Sequence, residues 1–133
     1  MNDYQSERGT SEFDYRLHHV QLSIPAGGED RAREYYADVL GMTEVRKPPE
    51  LEKNGGLWVR TDSLEIHLGI EPDYSPMVKA HPGIIVGDLD RLAARLEEKG
   101  CEVAWNSDFI GFRRFHTRDP FGNRLEFMMP QAS

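Results

Sequence analysis

The chain is poor in cysteine, in basic charge and in long apolar runs. Its single cysteine, Cys101, excludes an internal disulfide, which suits a reducing cytoplasm. Acidic residues outnumber basic ones by 23 to 16, and the net charge of −7 leaves no basic stripe to bind nucleic-acid phosphates. No apolar run approaches the roughly 20 residues of a membrane-spanning helix, and no secretory signal pattern is present. We therefore expect a cytoplasmic protein without nucleic-acid or membrane partners.

The 133 residues have an ordinary globular composition and suffice for one domain with one modest core. The first 14 residues follow neither a strand nor a helix period, so we expect a flexible N-terminal arm over 1–14. A single domain is expected over 15–130.

The domain contains an internal repeat. One half, about 15–71, begins with a strand after His19, and the other, about 80–130, begins with a strand after His81. Each half then has an amphipathic segment that ends at a glycine, and further short alternating runs. The last runs carry similar tripeptides, Leu64-Glu65-Ile66 and Leu125-Glu126-Phe127. The pattern predicts an α+β fold with the order β-α-β-β-β, twice. Two such halves can close around a shared space.

Alternate residues of a strand point to opposite faces of its sheet. In the predicted strands the apolar faces suit packing on the helices. The opposite faces carry three of the five histidines and two carboxylates: His19, His67, His81, Glu65 and Glu126. An antiparallel sheet often has one solvated face, so the pattern alone leaves two interpretations open, an ordinary wet face or a metal or ligand cavity.

Residues 119–127, with the sequence DPFGNRLEF, resemble the D-P-x-G-N-x-x-E signature of the vicinal oxygen chelate family, which includes glyoxalase I and the bleomycin-resistance proteins. His19 before Val20-Gln21-Leu22, and His81 at the start of the second half, are similar to that family too. The resemblance implies two βαβββ modules forming a cupped, pseudo-symmetric mixed sheet around a divalent metal.

The resemblance also implies metal ligands at His19, His81 and Glu126, with the fourth in the strand at 63–70. Spacing favours His67, whereas the repeated tripeptide favours Glu65, and both have the correct parity. We predict His67, so the set is three histidines and one carboxylate. Such donors suit Zn, Ni, Co, Mn or Fe better than Ca.

Four protein ligands on a six-coordinate ion leave two positions for a small substrate with neighbouring oxygens. The resemblance then implies isomerase or lyase chemistry, with Glu126 or Glu65 moving a proton, in a homodimer. The alternatives are a metal-free binder of the bleomycin-resistance type, an extradiol dioxygenase that uses His19, His81 and Glu126, and a fosfomycin-type thiol transferase. Fold alone does not choose among them.

Several polar residues keep two interpretations. Arg113, Arg114 and Arg124 are either ligands for a substrate carboxylate or solvated charges. The facing of His116 stays open, and His18 is expected on the helix side or at the rim of the sheet.

Overall fold

The computed structural model describes residue 9 and residues 11–131. Residues 1–8 and 10, most of the predicted N-terminal arm, lie outside this range, so the arm and the exact domain limits stay predictions.

The first module forms a four-stranded sheet with the order β1-β4-β3-β2. Strand β1 pairs in parallel with β4, and the other pairs are antiparallel. The strands are β1 Val20–Ile24, β2 Thr43–Val45, β3 Leu57–Arg60 and β4 Glu65–Ile70.

The second module repeats this topology with the order β5-β8-β7-β6. Its strands are β5 Gly83–Ile85, β6 Ala104–Asn106, β7 Phe112–Arg118 and β8 Arg124–Pro130, with β5 and β8 parallel. The predicted α+β fold of two βαβββ modules is therefore confirmed.

The helices occupy the predicted amphipathic segments, with one difference in winding. Helix α1, Glu29–Arg33, continues as a π-helical segment, Glu34–Val39. The wider turn, in which the amide of Leu40 donates to the Tyr35 carbonyl oxygen (2.9 Å), accompanies two consecutive buried tyrosines, Tyr35 and Tyr36.

A short helix, α2, spans Pro49–Glu52 and directly follows Pro48. The second proline occupies the first helical position, where its missing N–H has no intrahelical partner to lose. Helix α3, Leu89–Glu98, begins at Asp88, whose side chain accepts a hydrogen bond from the Arg91 amide. No helix within the described residues is long and apolar enough to cross a membrane.

The loop at 119–123 joins the two modules. The buried Asp119 carboxylate accepts hydrogen bonds from Tyr36 Oη (2.7 Å), from Asn123 Nδ2 (2.8 Å) and from the amides of Phe121 (2.9 Å) and Asn123 (2.8 Å). Asn123 Nδ2 also donates to the Ser23 carbonyl oxygen of β1 (2.9 Å). The most distinctive motif of the sequence is thus a structural connection between a helix and a strand of module 1 and the last strand of module 2.

Candidate metal centre

A cluster of metal-ligating side chains lies on the second sheet. Donor atoms of His81, His116 and Glu126 all lie within 4.8 Å of one another. A search of the described residues for three or more metal-ligating side chains placed this close together finds this group. Glu126 pairs with Gly83 of β5 on one side and with His116 of β7 on the other. His81 precedes Gly83 by two residues, so all three side chains share one face.

His81 is oriented by hydrogen bonds at both ring nitrogens. Its Nδ1 is 2.9 Å from the Lys79 carbonyl oxygen, which can only accept, so Nδ1 carries a proton. Its Nε2 is 2.9 Å from Glu126 Oε1. The nitrogen that faces the carboxylate is therefore the one left for a metal ion.

Glu126 is held from its other side by Arg114, whose Nη1 donates to Oε2 (2.9 Å). Arg114 itself is positioned by Asn106 Oδ1 (2.8 Å) and lies over the Phe109 ring. Burial raises the pKa of Glu126, but the hydrogen bonds from Arg114 and His81 outweigh it, so the pKa is lowered. The carboxylate is charged near neutral pH and keeps Oε1 for the cluster.

His116 is the group that sequence reasoning left unassigned. Its ring meets that of His81 edge-on at 5.0 Å and makes no hydrogen bond to the described residues. Burial, followed by the charge of Arg124, lowers the pKa of His116 and favours the neutral imidazole. A neutral ring with free nitrogens has the form that binds metals.

A second group of rings lies on the first sheet. The buried His67 ring is stacked between Trp58 (centroids 3.8 Å apart) and His19 (3.9 Å). His67 Nε2 is 2.7 Å from Glu65 Oε2, and this hydrogen bond is the largest cause of the lowered pKa of Glu65. His18, expected on the helix side or at the rim of the sheet, is exposed and places its Nδ1 3.0 Å from that of His19.

The strand registers relate these two groups. His67 pairs with Gln21, which is two residues after His19. Glu126 pairs with Gly83, which is two residues after His81. When His19 is matched to His81, the position equivalent to Glu126 is therefore His67 and not Glu65.

The structure brings the four predicted ligands together as two pairs. His19 contacts His67 on the first sheet, and His81 contacts Glu126 on the second. Among the described residues of a single chain, the metal-ligating group that contains His81 and Glu126 does not include His19. Each pair is positioned by its own sheet, because β1 pairs with β4 and β5 pairs with β8.

A cleft of about 520 Å³ lies between the two modules and is lined by residues of both. Its lining includes Gln21 of β1, Tyr74 of the connecting segment, and His81 and Arg124 of module 2. His81 therefore faces a space large enough for a small organic ligand.

The three arginines with open roles differ in their partners. Arg113 makes two hydrogen bonds to Asp90 of α3, on the helix side of the sheet. Arg124 donates to the Lys79 carbonyl oxygen. Arg114 alone of these three contacts a predicted ligand, Glu126.

A sequence profile described as Glyoxalase/Bleomycin resistance protein/Dioxygenase superfamily matches residues 16–127. A solved structure of a protein assigned to the glyoxalase family from Bacillus anthracis is 38% identical, with a TM-score of 0.87 over 92% of this chain and 100% of that chain. No curated protein matches.

Two more distant solved structures share the fold. An antibiotic-binding protein from Streptomyces sp. CB03234 is 22% identical, with a TM-score of 0.68 over 87% of this chain and 98% of that chain. A lactoylglutathione lyase from Agrobacterium tumefaciens is 19% identical, with a TM-score of 0.63 over 86% and 94%.

Proposed function

Since the chain belongs to the Glyoxalase/Bleomycin resistance protein/Dioxygenase superfamily, we propose that it is a divalent-metal-dependent enzyme with isomerase or lyase chemistry on a small substrate bearing two neighbouring oxygens. The observation that carries this proposal is the clustering of histidine and carboxylate donors on the polar faces of both sheets. A protein that only sequesters a ligand has no need of such donors.

The donor set fits a transition-metal ion. Two ligand atoms about 2.1 Å from an ion, at a right angle, are about 3 Å apart. His81 Nε2 and Glu126 Oε1 are 2.9 Å apart. Imidazole and carboxylate donors suit Zn, Ni, Co, Mn or Fe, whereas Ca prefers an all-oxygen site.

The predicted ligands come as two pairs on different sheets, His19 with His67 and His81 with Glu126. A site that uses all four ligands therefore has to join two protein surfaces, one that carries each pair. We assign the second surface to another copy of the chain, in a homodimer that brings the first pair of one copy to the second pair of the other. Ile85 supports this assignment, because it is 64% exposed and shares its sheet face with Gly83 beside the cluster. An apolar side chain in that position is stabilised when a partner covers it. Sedimentation showing a monomer at high micromolar concentration would contradict the dimer.

A bound ion would polarise the substrate oxygens and stabilise negative charge that develops on them. Glu65 is the proposed base, since its carboxylate is charged near neutral pH and lies on the same face as His67. Glu126 has the second proposed role, as a ligand that also faces the substrate, and Arg114 and His81 limit its movement.

Metal analysis and solvent deuterium exchange test the proposal together. Purified protein should bind a divalent ion and should catalyse exchange of the carbon-bound hydrogen in a panel of small α-hydroxy ketones, followed by proton NMR. Glu126→Gln should lose both properties. Glu44→Gln should keep them, because Glu44 is an exposed carboxylate on the first sheet that is paired with Arg33. Full metal binding in Glu126→Gln would refute the proposed site.

The fourth ligand has its own test. Because the register equates His67 with Glu126, His67→Ala should weaken zinc binding sharply. Glu65→Gln should lower turnover more than affinity, since it changes the partner of a ligand. The reverse pattern in a zinc titration would make Glu65 the ligand.

A metal-free binding protein is the second candidate, and the cleft of about 520 Å³ is the observation that favours it. In that case chelator-treated protein would bind small aromatic ligands as tightly as the metal-loaded form.

A further inference from the structure

His116 lies outside the predicted ligand set, yet the fold places it in the middle of the second-module cluster. It is directly opposite Glu126 in the β7–β8 pair, where facing Cβ atoms are about 5 Å apart. His81 reaches the same point from the neighbourhood of β5, on the other side of β8. We propose that His116 is the third protein ligand of a metal site that one chain builds alone, from His81, His116 and Glu126.

The three donors form a set with known metal chemistry. Two histidines and one carboxylate on one side of an ion are a common transition-metal arrangement, and they leave the remaining positions open. The three donor atoms are within 4.8 Å of one another, so small side-chain rotations bring them to a common ion. The ion takes the place of the hydrogen bond between His81 Nε2 and Glu126 Oε1.

Neighbouring groups already orient two of the three ligands. The Lys79 carbonyl oxygen holds Nδ1 of His81 and directs Nε2 towards the cluster. Arg114 occupies Oε2 of Glu126 and leaves Oε1 for the ion. Such outer contacts fix ligand geometry. They also make Glu126 a ligand through one oxygen, and the positive charge of Arg114 reduces the affinity for a cation.

Electrostatically, His116 is influenced by Arg124, Glu126, His81 and Arg114 in the described part of the chain. Its ring makes no hydrogen bond there, and its closest ring contact is with His81 itself. A partly buried histidine whose ring has no hydrogen-bond partner there and lies beside two other donors has a simple explanation as a ligand.

The inference rests on the proposed function in placing metal at His81 and Glu126, but it does not depend on His19, His67 or a second copy. It implies that the second module can bind its ion without the first-module pair. The function proposed above requires that pair, so the two claims predict different effects for different variants.

Cobalt(II) titration distinguishes them, because its visible absorption reports the ligands of the ion. The variant His19→Ala/His67→Ala should still bind one cobalt ion per chain, and adding His116→Ala should weaken that binding at least tenfold. Adding His18→Ala to the same double variant is the matched control, since His18 contacts the already removed His19, and it should change nothing. Equal affinity with and without His116 would overturn the inference.

A measurement on the unaltered chain covers the case in which the triple variant does not fold. In a zinc titration followed by nitrogen-15 NMR of the histidine rings, the His116 resonance should shift together with that of His81. A His116 resonance that stays in place while zinc binds would overturn the inference equally. The proposed function has a separate failure, namely identical cobalt affinity and spectrum in the wild-type chain and in His19→Ala/His67→Ala.

Discussion

Two adjacent tyrosines provide a matched test of what joins the modules. Tyr36 is fully buried and donates from Oη to Asp119 Oδ2 at 2.7 Å. Tyr35 is also buried, but its Oη has no hydrogen-bond partner among the described residues. Replacing each tyrosine by phenylalanine removes one oxygen atom and keeps the ring. The two substitutions therefore differ in the hydrogen bond alone.

Tyr36→Phe should lower the free energy of unfolding by about 2 kcal/mol. A hydrogen bond to a charged group contributes roughly 1.5–3 kcal/mol. The lower part of this range applies because the Asp119 carboxylate keeps its other donors, Asn123 Nδ2 and the amides of Phe121 and Asn123. For a chain of this size, that loss corresponds to a fall in Tm of roughly 4–8 °C.

Tyr35→Phe should leave the free energy of unfolding unchanged or raise it by up to about 1 kcal/mol, because it removes a buried hydroxyl that has no acceptor. Urea denaturation of both variants, followed by far-UV circular dichroism with a common slope, measures the difference. A loss in Tyr35→Phe as large as that in Tyr36→Phe would refute the reasoning, since ring packing and not the Asp119 contact would then explain both.

Two further predictions follow from the turns and the charges of the fold. Gly56 has φ +77°, and a Cβ there would overlap the Leu68 carbonyl oxygen, whereas Gly41 has the same φ with open space around it; Gly56→Ala should therefore cost about 3 kcal/mol or more, and Gly41→Ala about 1 kcal/mol, in denaturant unfolding. Glu126 has a lowered pKa, so it contributes stability above the usual carboxyl pKa that is lost as the pH falls through the lowered value. Arg114→Met should raise that pKa and move the acid unfolding transition to higher pH, and an unchanged transition would mean that the ion pair is not maintained in solution.

The repeated order of strands and helices could be predicted because it depends on local periodicity. Helix α3 shows this best, since Asp88 begins it, Gly100 follows its end, and its buried residues Leu89, Ala93 and Leu96 recur at helical spacing. The π-helical segment could not be predicted in this way. Its wider winding depends on how Tyr35 and Tyr36 pack within the assembled core, which no local pattern records.

The position of His116 was available in the sequence, although periodicity alone did not reveal it. The turn at 119–123 makes β7 and β8 a hairpin, and counting outwards from the pair Arg118 and Arg124 places His116 opposite Glu126. The residue types of that turn match a family signature. The same turn is also the symmetry point of an antiparallel pair, which fixes the partner of each residue in β7.

The choice between Glu65 and His67 shows what remains beyond such counting. A slip of two residues leaves every side chain of a strand on the same face, so alternation of apolar and polar residues fits both alignments equally well. The repeated tripeptides favour Glu65 because Leu64-Glu65-Ile66 and Leu125-Glu126-Phe127 match in residue type. Backbone pairing removes this degeneracy, since it sets His67 beside Gln21 and Glu126 beside Gly83. A difference of two residues in the pairing of β1 with β4 therefore decides which side chain corresponds to Glu126, and with it whether the first module offers a second imidazole or a second carboxylate to a metal ion.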